Sequence, residues 1–229
     1  FPYIRCLTTK SMLLNPESKV TLIITACNRP ALLLKTLQSF FNNYTYAVAD
    51  IIVYEDSGLP DVNNAVKKTY PFVRFIEPTK RTGQIVAHDS LMAEVKTEYV
   101  LSWEEDWETY KAGFTERAMQ ILAAEPNTLQ VLFRHPADNN GHPTMQGGIN
   151  HRYMSTSYHW KGFSFSPSLK RKADYDLIGS FGQHTSFNPA IPWESEKAIG
   201  EVYYALGYRV AILRAGYVRH IGKFHHVNP

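Results

Sequence analysis

Apolar, β-rich runs alternate with helical stretches from residue 19 to residue 133, and this alternation restricts the fold class that the chain can adopt. The runs typical of buried strands are KVTLIIT (19–25), DIIVYE (50–55), FVRFIE (72–77), EYVLSW (98–103) and the segment 129–133. The helical stretches between them are 30–41, a polar segment that ends at residue 70, 81–95 and 112–125. Repeated βα units predict an α/β fold, with a central mostly parallel sheet flanked by helices.

The second half of the chain is less regular. The polar, glycine-containing segment 134–154 predicts a loop or lid, and the segment 159–169 shows a strand-like alternation. A helix is predicted from just after Pro192 to Gly207, because glycine is favoured directly past a helix end, and a strand follows over 208–213. We therefore expect one domain over 1–229, with a regular half (about 19–133) and an irregular half (about 134–229). The missing initiator Met is consistent with a piece of a longer polypeptide.

Charge and cysteine content exclude several classes of protein. The formal net charge is +3, and Lys and Arg form no basic stripe, so we expect no nucleic-acid partner. No apolar stretch is long enough for a membrane span, and the first ten residues do not resemble a signal peptide. The two cysteines, Cys6 and Cys27, form no CxxC pair and suit a reducing compartment. These features predict a soluble, cytoplasmic protein.

Three consecutive acids follow one of the predicted strands. Glu104, Glu105 and Asp106 come directly after the strand 98–103, and ligands of such sheets bind beyond the carboxyl ends of the strands. Adjacent carboxylates repel one another unless a cation or a basic group compensates their charge. Carboxylate oxygens suit Mn²⁺ or Mg²⁺, so these acids predict a metal site. A solvated acidic turn that caps the next helix is an equally open interpretation here.

Three segments together resemble one enzyme group. VTLIITACNRPALLLKTLQSF is similar to the first strand, polar turn and helix of the GT-A glycosyltransferases of the family 2 type. IIVYEDSG resembles their second strand, and TEYVLSWEEDWE resembles the strand that ends in their DxD metal motif, here in an E-x-D form. The resemblance covers roughly the first 130 residues, in order and spacing. It implies a GT-A fold and the transfer of a sugar from a UDP-sugar to a hydroxyl of a glycan or glycoconjugate.

The resemblance also implies roles for individual residues. It makes residues 19–133 the nucleotide-sugar-binding half and 134–229 the acceptor-binding and catalytic half. Expected donor contacts are Thr25, Asn28, Arg29, Glu55 or Asp56 (to the nucleobase), Arg81 or Lys80 (to a phosphate), Glu104 and Glu105. Asp106 is the expected ligand of Mn²⁺ (or Mg²⁺), and a late His completes such sites. His220 best fits that position, with His225 and His226 as rivals.

The base that deprotonates the acceptor hydroxyl is expected at the start of a late helix. The family usually has Glu-Asp there, whereas this chain has Glu-Ser-Glu, so Glu194 and Glu196 are both candidates. First-turn acids that stabilise the helix dipole are the alternative interpretation. The resemblance further implies inversion by a single displacement.

Aromatic side chains are candidates for stacking on the acceptor sugar. We expect contacts from Trp107, Trp160 and Trp193, although most Trp residues are packing residues. Trp103 could stack as well, and His135, Asn150 and His151 could donate hydrogen bonds.

Two other functions compete with sugar transfer. A sugar-nucleotide nucleotidyltransferase normally carries a glycine-rich phosphate loop after its first strand, and TACNRPALL contains no glycine. A non-catalytic carbohydrate-binding module would explain the aromatic content of 13% but would not require the acidic cluster. Binding of UDP with a metal ion would separate the transferase from such a module.

Overall fold

The strands of the protein follow the predicted order, with additional short strands in the second half. The computed structural model describes residues 13–157, 159–185 and 193–222. The strands are β1 Val20–Ala26, β2 Asp50–Glu55, β3 Arg74–Ile76, β4 Tyr99–Glu104, β5 Trp107–Thr109, β6 Thr128–Leu132, β7 Thr144–Met145, β8 His151–Met154, β9 Ser168–Arg171, β10 Arg209–Leu213 and β11 Val218–His220.

Helices occupy the connections between these strands. They are α1 Pro30–Asn43, α2 Asn64–Thr69, α3 Gln84–Glu94, α4 Phe114–Ala124, α5 Lys172–Ile178 and α6 Trp193–Ala205, with a 3₁₀ turn at Phe181–Gln183. Pro30 opens α1, where its missing N–H costs nothing because the first helical N–H groups have no partner within the helix. Among the described helices, none is both long and apolar enough to cross a bilayer.

Nine of the described strands form one sheet in the order β3-β2-β1-β4-β9-β6-β10-β8-β7. Parallel pairs join β3, β2, β1 and β4, and another parallel pair joins β6 and β10. Both β4 and β6 pair antiparallel with β9, so β4 and β6 point the same way. Only β8 and β9 oppose the common direction, which confirms the mostly parallel α/β sheet.

The irregular half differs from its predicted form in two places. The segment 134–154 contains the antiparallel pair β7 and β8 instead of a continuous loop. Residues 159–167 form no strand, and the ladder begins only at Ser168. Phe163 and Phe165 are each 1% exposed and pack into a core cluster with Ile199 and Ile212. The alternation therefore reflects side-chain packing and not a strand ladder.

The sheet buries apolar residues on both faces. Leu22 and Ile24 of β1 pack into one cluster with Trp103, while Ile23 packs into a cluster on the other side. Every residue of β1 is buried, as expected for a central parallel strand. Because β1, β2 and β4 are parallel neighbours, their carboxyl ends meet at one edge, where the acidic residues lie.

Candidate functional site

A tight turn between β1 and α1 organises the first part of the site. Asn28 adopts a left-handed φ of 52°, which Asn tolerates better than most residues. The turn directs the backbone N–H of Cys27 to Glu105 Oε1 (3.0 Å) and that of Asn28 to Glu55 Oε1 (2.7 Å). The exposed side chain of Asn28 does not line the cavity described below. Asn28 thus serves the turn through its backbone.

The two acids at the end of β2 have different environments. Glu55 is 1% exposed and accepts hydrogen bonds from the backbone N–H groups of Asn28 and Ser57 and from Asn63 Nδ2. Asp56 accepts bonds from Thr82 N, Thr82 Oγ1 and Gly83 N, just before α3. Asp56 lines the cavity described below. Glu55 does not line it and instead connects the backbone of the β1–α1 turn with Asn63.

Arg29 connects the first turn with the acidic cluster. Its Nε and Nη2 lie 2.8 and 2.7 Å from Glu105 Oε1, and its Nη1 lies 2.9 Å from Asp106 Oδ2. Burial raises the pKa of Glu105 to about 7, an effect that Arg29 partly offsets. Burial also disfavours the charge of Asp106, yet His220 and Arg29 hold its pKa below the usual value. Asp106 is therefore the acid of the pair that stays ionised at neutral pH.

The last described strand brings His220 to the same place. β11 pairs antiparallel with β5, with His220 opposite Trp107, and Ile221 N donates to the carbonyl of Asp106 (2.8 Å). His220 Nε2 consequently lies 3.2 Å from Asp106 Oδ2. Gly222 packs so closely that an added Cβ would lie 2.8 Å from the Asp106 Cβ. His225 and His226 fall outside the described residues, as does Cys6.

Asp106 and His220 are the described residues best suited to a divalent cation. A carboxylate oxygen and an imidazole nitrogen are accepted ligands of Mn²⁺, and both side chains line one cavity. No cluster of three or more His, Cys, Asp or Glu side chains in metal-binding geometry occurs among the described residues. The pair fits a cation that takes its remaining ligands from phosphate oxygens and water, as Mg²⁺ and Mn²⁺ sites at nucleotides do.

These groups surround a cavity of 340 Å³, called here the first cavity. Arg81 lies at its rim, and Lys80 is exposed beside it without lining it. Gly58 contacts the backbone at Lys80, with a φ of +70° and space for no side chain. The residues that line the first cavity are Thr25, Ala26, Cys27, Arg29, Asp56, Arg81, Gly83, Gln84, Ala87, Glu104, Glu105, Asp106 and His220.

A second cavity of 410 Å³ lies beside the first and shares Glu104 with it. Gln84 Nε2 (3.3 Å) and Trp107 Nε1 (3.0 Å) hydrogen-bond the two oxygens of Glu104. Burial, followed by the negative charges of Asp106, Glu196 and Glu105, raises the pKa of Glu104 to about 8. The lining residues of the second cavity are Glu104, Arg134, Asn139, Asn140, His142, His159, Trp160, Ser164, Ser166, Trp193 and Glu196.

The two acids of the α6 first turn occupy different surroundings. Glu194 is exposed and does not line the second cavity. Glu196 lines it, and its Oε1 accepts bonds from Ser164 Oγ (2.9 Å) and Phe165 N (2.8 Å). Within the described part of the chain, its Oε2 has no hydrogen-bond partner. Burial raises the pKa of Glu196 above the usual value, although these bonds and two nearby cations oppose the rise.

The candidate aromatic residues divide into buried and accessible groups. Trp103 is fully buried in the core, and Trp107 is 3% exposed with Arg134 stacked over its ring (5.1 Å). Neither lines the second cavity, whereas Trp160 and Trp193 do. Trp160 Nε1 donates to the Phe163 carbonyl, and its ring meets His142 edge to face. His135, Asn150 and His151 line neither cavity.

Several lining residues were absent from the sequence expectations. Arg134 lies two residues after the end of β6, so the rule that polar residues at strand ends line the site would have found it. Gln84 begins α3 and reaches Glu104, but nothing in its local sequence distinguishes it. His142 and His159 lie on irregular segments whose positions depend on long-range packing.

Several solved structures share this fold at low sequence identity. The fragment TarS 1–349 from S. aureus in complex with UDP has a TM-score of 0.64 and 13% identity, over 88% of this chain and 60% of that fragment. The mannosyltransferase PcManGT from Pyrobaculum calidifontis, in complex with GDP-Man and Mn²⁺, has a TM-score of 0.62 and 18% identity, over 92% of this chain and 64% of that one. GalNAc-T7 with UDP, GalNAc and Mn²⁺ has a TM-score of 0.65 and 11% identity, over 92% of this chain and 45% of that one.

These structures establish the GT-A fold, and the present chain spans less than two thirds of their lengths. No curated protein matches it in sequence. The sequence model of glycosyl transferase family 2 matches residues 21–182, which is more than half of the chain and includes all but the first residue of β1, the acidic cluster and β9. The chain therefore belongs to glycosyl transferase family 2 and has the GT-A fold.

Proposed function

We propose that the protein is a divalent-metal-dependent glycosyltransferase that moves a sugar from a UDP-sugar to a hydroxyl of a glycan or glycoconjugate. The observation that carries this proposal is the pair of adjacent cavities separated by Glu104. The first cavity contains the acids and arginines suited to a nucleoside diphosphate. The second cavity contains a buried carboxylate and two indole rings. UDP, GDP-Man and Mn²⁺ in the similar structures support a nucleotide-sugar donor.

The first cavity would hold the donor. Asp56 accepts a hydrogen bond from the nucleobase, while Thr25, Cys27 and Arg29 line the path towards the diphosphate. Arg81, which is exposed at the rim, contacts a phosphate. Asp106 and His220 would hold Mn²⁺ (or Mg²⁺), which would neutralise charge on the diphosphate. In this assignment residues of the 19–133 half bind the donor, and His220 completes the site.

The second cavity would hold the acceptor. Trp160 and Trp193 provide ring faces for a sugar, and His142 and Asn139 provide hydrogen-bonding groups. Trp107 acts through Glu104, whose orientation it fixes. Apart from Glu104, every residue that lines this cavity belongs to the 134–229 half.

Glu196 would act as the base. Its Oε2 takes the proton from the acceptor hydroxyl while that oxygen attacks the anomeric carbon. The bond from the anomeric carbon to the diphosphate oxygen breaks, and its electron pair leaves with UDP. Attack from the second cavity, opposite the diphosphate in the first cavity, is a single displacement that inverts the anomeric configuration. Glu104 lies between the two reactants, where it contacts the donor sugar or its ribose.

Calorimetric titration with UDP, with and without Mn²⁺, tests the donor site first. We expect metal-dependent binding by the wild type and its loss in Asp106→Asn, which removes one negative charge without a change of shape. Glu108→Gln is the matched control, because Glu108 lies two residues further on, pairs with Arg219 and does not line the cavity. Absence of binding by UDP, GDP and dTDP with metal present would refute the transferase proposal.

Transfer is then measured as release of UDP from a panel of UDP-sugars with simple glycan acceptors. We expect Glu196→Gln to retain UDP binding and to lose release by about 100-fold or more, because general base catalysis contributes on that scale. Glu194→Gln is the control on the same helix turn. Equal losses in both variants, or none in either, would contradict the assignment of the base. Sugar binding without UDP binding would favour a carbohydrate-binding module instead.

A further inference from the structure

Lys170 is a charged residue inside the sheet. It lies on β9 between Val100 of β4 and Gln130 of β6, and it is 7% exposed. Its Nζ lies 5.7 Å from the centre of the Phe163 ring, and within the described residues it makes no ion pair or hydrogen bond. Burial of an ammonium group without a close partner is costly, so its presence requires a compensating role.

The groups around Lys170 complement a positive charge. Ser102 and Ser168 are opposite each other in the β4–β9 ladder, on the same sheet face as Lys170. Their Oγ atoms and Gln130 Oε1 are buried and have no hydrogen-bond partner in the described structure. Three oxygen acceptors without donors in the described structure therefore belong to side chains on the sheet face of Lys170. Oxygen acceptors complement a protonated lysine better than apolar groups do.

Two carboxylates of the cavities act on this ammonium group. Glu196 Oε1 accepts a hydrogen bond from Ser164 Oγ, and the Ser164 carbonyl accepts one from Gln130 Nε2 (3.1 Å). Gln130 lies opposite Lys170 in the β6–β9 ladder, so these contacts connect Glu196 with the strand of Lys170. Glu196 is the stronger electrostatic partner of Lys170, and Glu104 is the weaker one. Burial, the largest effect, nevertheless lowers the pKa of Lys170 to about 7, while both acids oppose that decrease. Besides each other, Lys170 and Glu196 have three titratable or charged neighbours on the surrounding elements. These are Glu104 on β4, Arg134 after β6 and His88 on α3.

His88 does not supply a competing charge. It is 2% exposed and stacks on Phe165 with the ring centres 4.0 Å apart. Burial and the charge of Lys170 lower its pKa well below the usual value, so the imidazole is neutral. Arg134 is the other cation near Glu196, and it is already engaged with Asp138 and the ring of Trp107. Lys170 is thus the cation near Glu196 that has no ion pair among the described residues.

We propose that Lys170 is a positioning residue whose buried positive charge favours the ionised form of Glu196 in the second cavity. The inference rests on the proposed function, in which Glu196 accepts the proton of the acceptor hydroxyl. Without this charge, a buried carboxylate shifts further towards its protonated form, which cannot act as a base. Lys170 lines neither cavity, so it acts through Glu196 and not on the substrate.

Lys170→Met removes the charge at similar volume, and Lys170→Arg retains it. We expect Lys170→Met to lower kcat at neutral pH by about tenfold and to shift the acidic limb of the kcat profile upwards by about one unit. Lys170→Arg should retain much of the wild-type kcat and of the wild-type pH profile. The affinity for UDP should stay within about twofold of wild type in all variants. Lys172→Met is the matched control, because Lys172 lies two residues away and pairs with Asp176.

A second measurement does not depend on transfer. The carboxyl resonance of Glu196 in ¹³C-glutamate-labelled protein, assigned with Glu196→Gln, reports its ionisation directly. We expect this resonance to titrate about one unit higher in Lys170→Met than in wild type. Lys170→Gln repeats the test if the Met variant does not fold. If the wild type transfers no sugar, the proposed function fails, yet this titration still decides the link between Lys170 and Glu196.

Two results would overturn the proposal. One is an unchanged Glu196 titration in both neutral variants. The other is a loss of kcat in Lys170→Arg as large as in Lys170→Met, together with a loss of thermal stability, which would show that Lys170 has a packing role only.

Discussion

Replacement of Arg29 by Met tests the electrostatic balance of the donor site. Arg29 pairs with both Glu105 and Asp106, and the three side chains are 18%, 5% and 8% exposed. Removal of one partner from a buried ion pair costs about 3–5 kcal/mol, because the remaining charge is left in a poorly solvated place. We therefore expect Arg29→Met to lower the free energy of unfolding by that amount at neutral pH without metal.

The loss should depend on pH in a defined direction. Without Arg29 the pKa of Glu105 rises further above its unfolded value, and Asp106 loses one of the two groups that lower its pKa, so protonation of these acids relieves the destabilisation. The difference from wild type is then largest at neutral pH and shrinks as the pH falls towards the ordinary carboxyl range of about 4. UDP with Mn²⁺ should recover part of the loss, because the bound cation replaces the missing positive charge.

Urea unfolding followed by circular dichroism, over a series of pH values, measures this effect. Lys19→Met is the control, since the Lys19–Glu98 pair (3.2 Å) is 66% and 51% exposed and contributes at most about 1 kcal/mol. A loss below about 1 kcal/mol in Arg29→Met, or one that does not change with pH, would refute the reasoning.

Three further predictions concern single contacts. Glu55→Ala should lower the free energy of unfolding by about 3 kcal/mol in urea unfolding, because it leaves buried donors of the β1–α1 turn without an acceptor; a wild-type value would contradict this. Gly222→Ala should weaken UDP binding with Mn²⁺ by about tenfold in calorimetry, because the new Cβ displaces Asp106; unchanged affinity would show that the segment moves freely. Trp193→Ala should raise the acceptor KM about threefold to tenfold and leave UDP affinity unchanged, and a donor defect would exclude an acceptor role.

The alternation of apolar runs was sufficient to predict the donor half. The strand 50–55 was predicted with its observed bounds, and α1 and α3 differ from prediction by a few residues at their ends. Such segments are predictable because a buried parallel strand must be apolar throughout and a flanking helix must be amphipathic. The position of acids after strands likewise located Asp56 and the cluster 104–106, since parallel strands end at one edge.

Other features depend on contacts between segments distant in the chain. Lys170 and Glu104 are 66 positions apart in sequence, and only the insertion of antiparallel β9 beside β4 brings Lys170 beneath the cavities. Packing decides that Asp56 and not Glu55 lines the first cavity. It likewise decides that Glu196 and not Glu194 lines the second cavity. The sequence by itself determined the βα units of the donor half and the chemistry at their strand ends, because these follow from local periodicity. Tertiary structure alone decided which charges share a cavity, because burial and long-range pairing have no local signal.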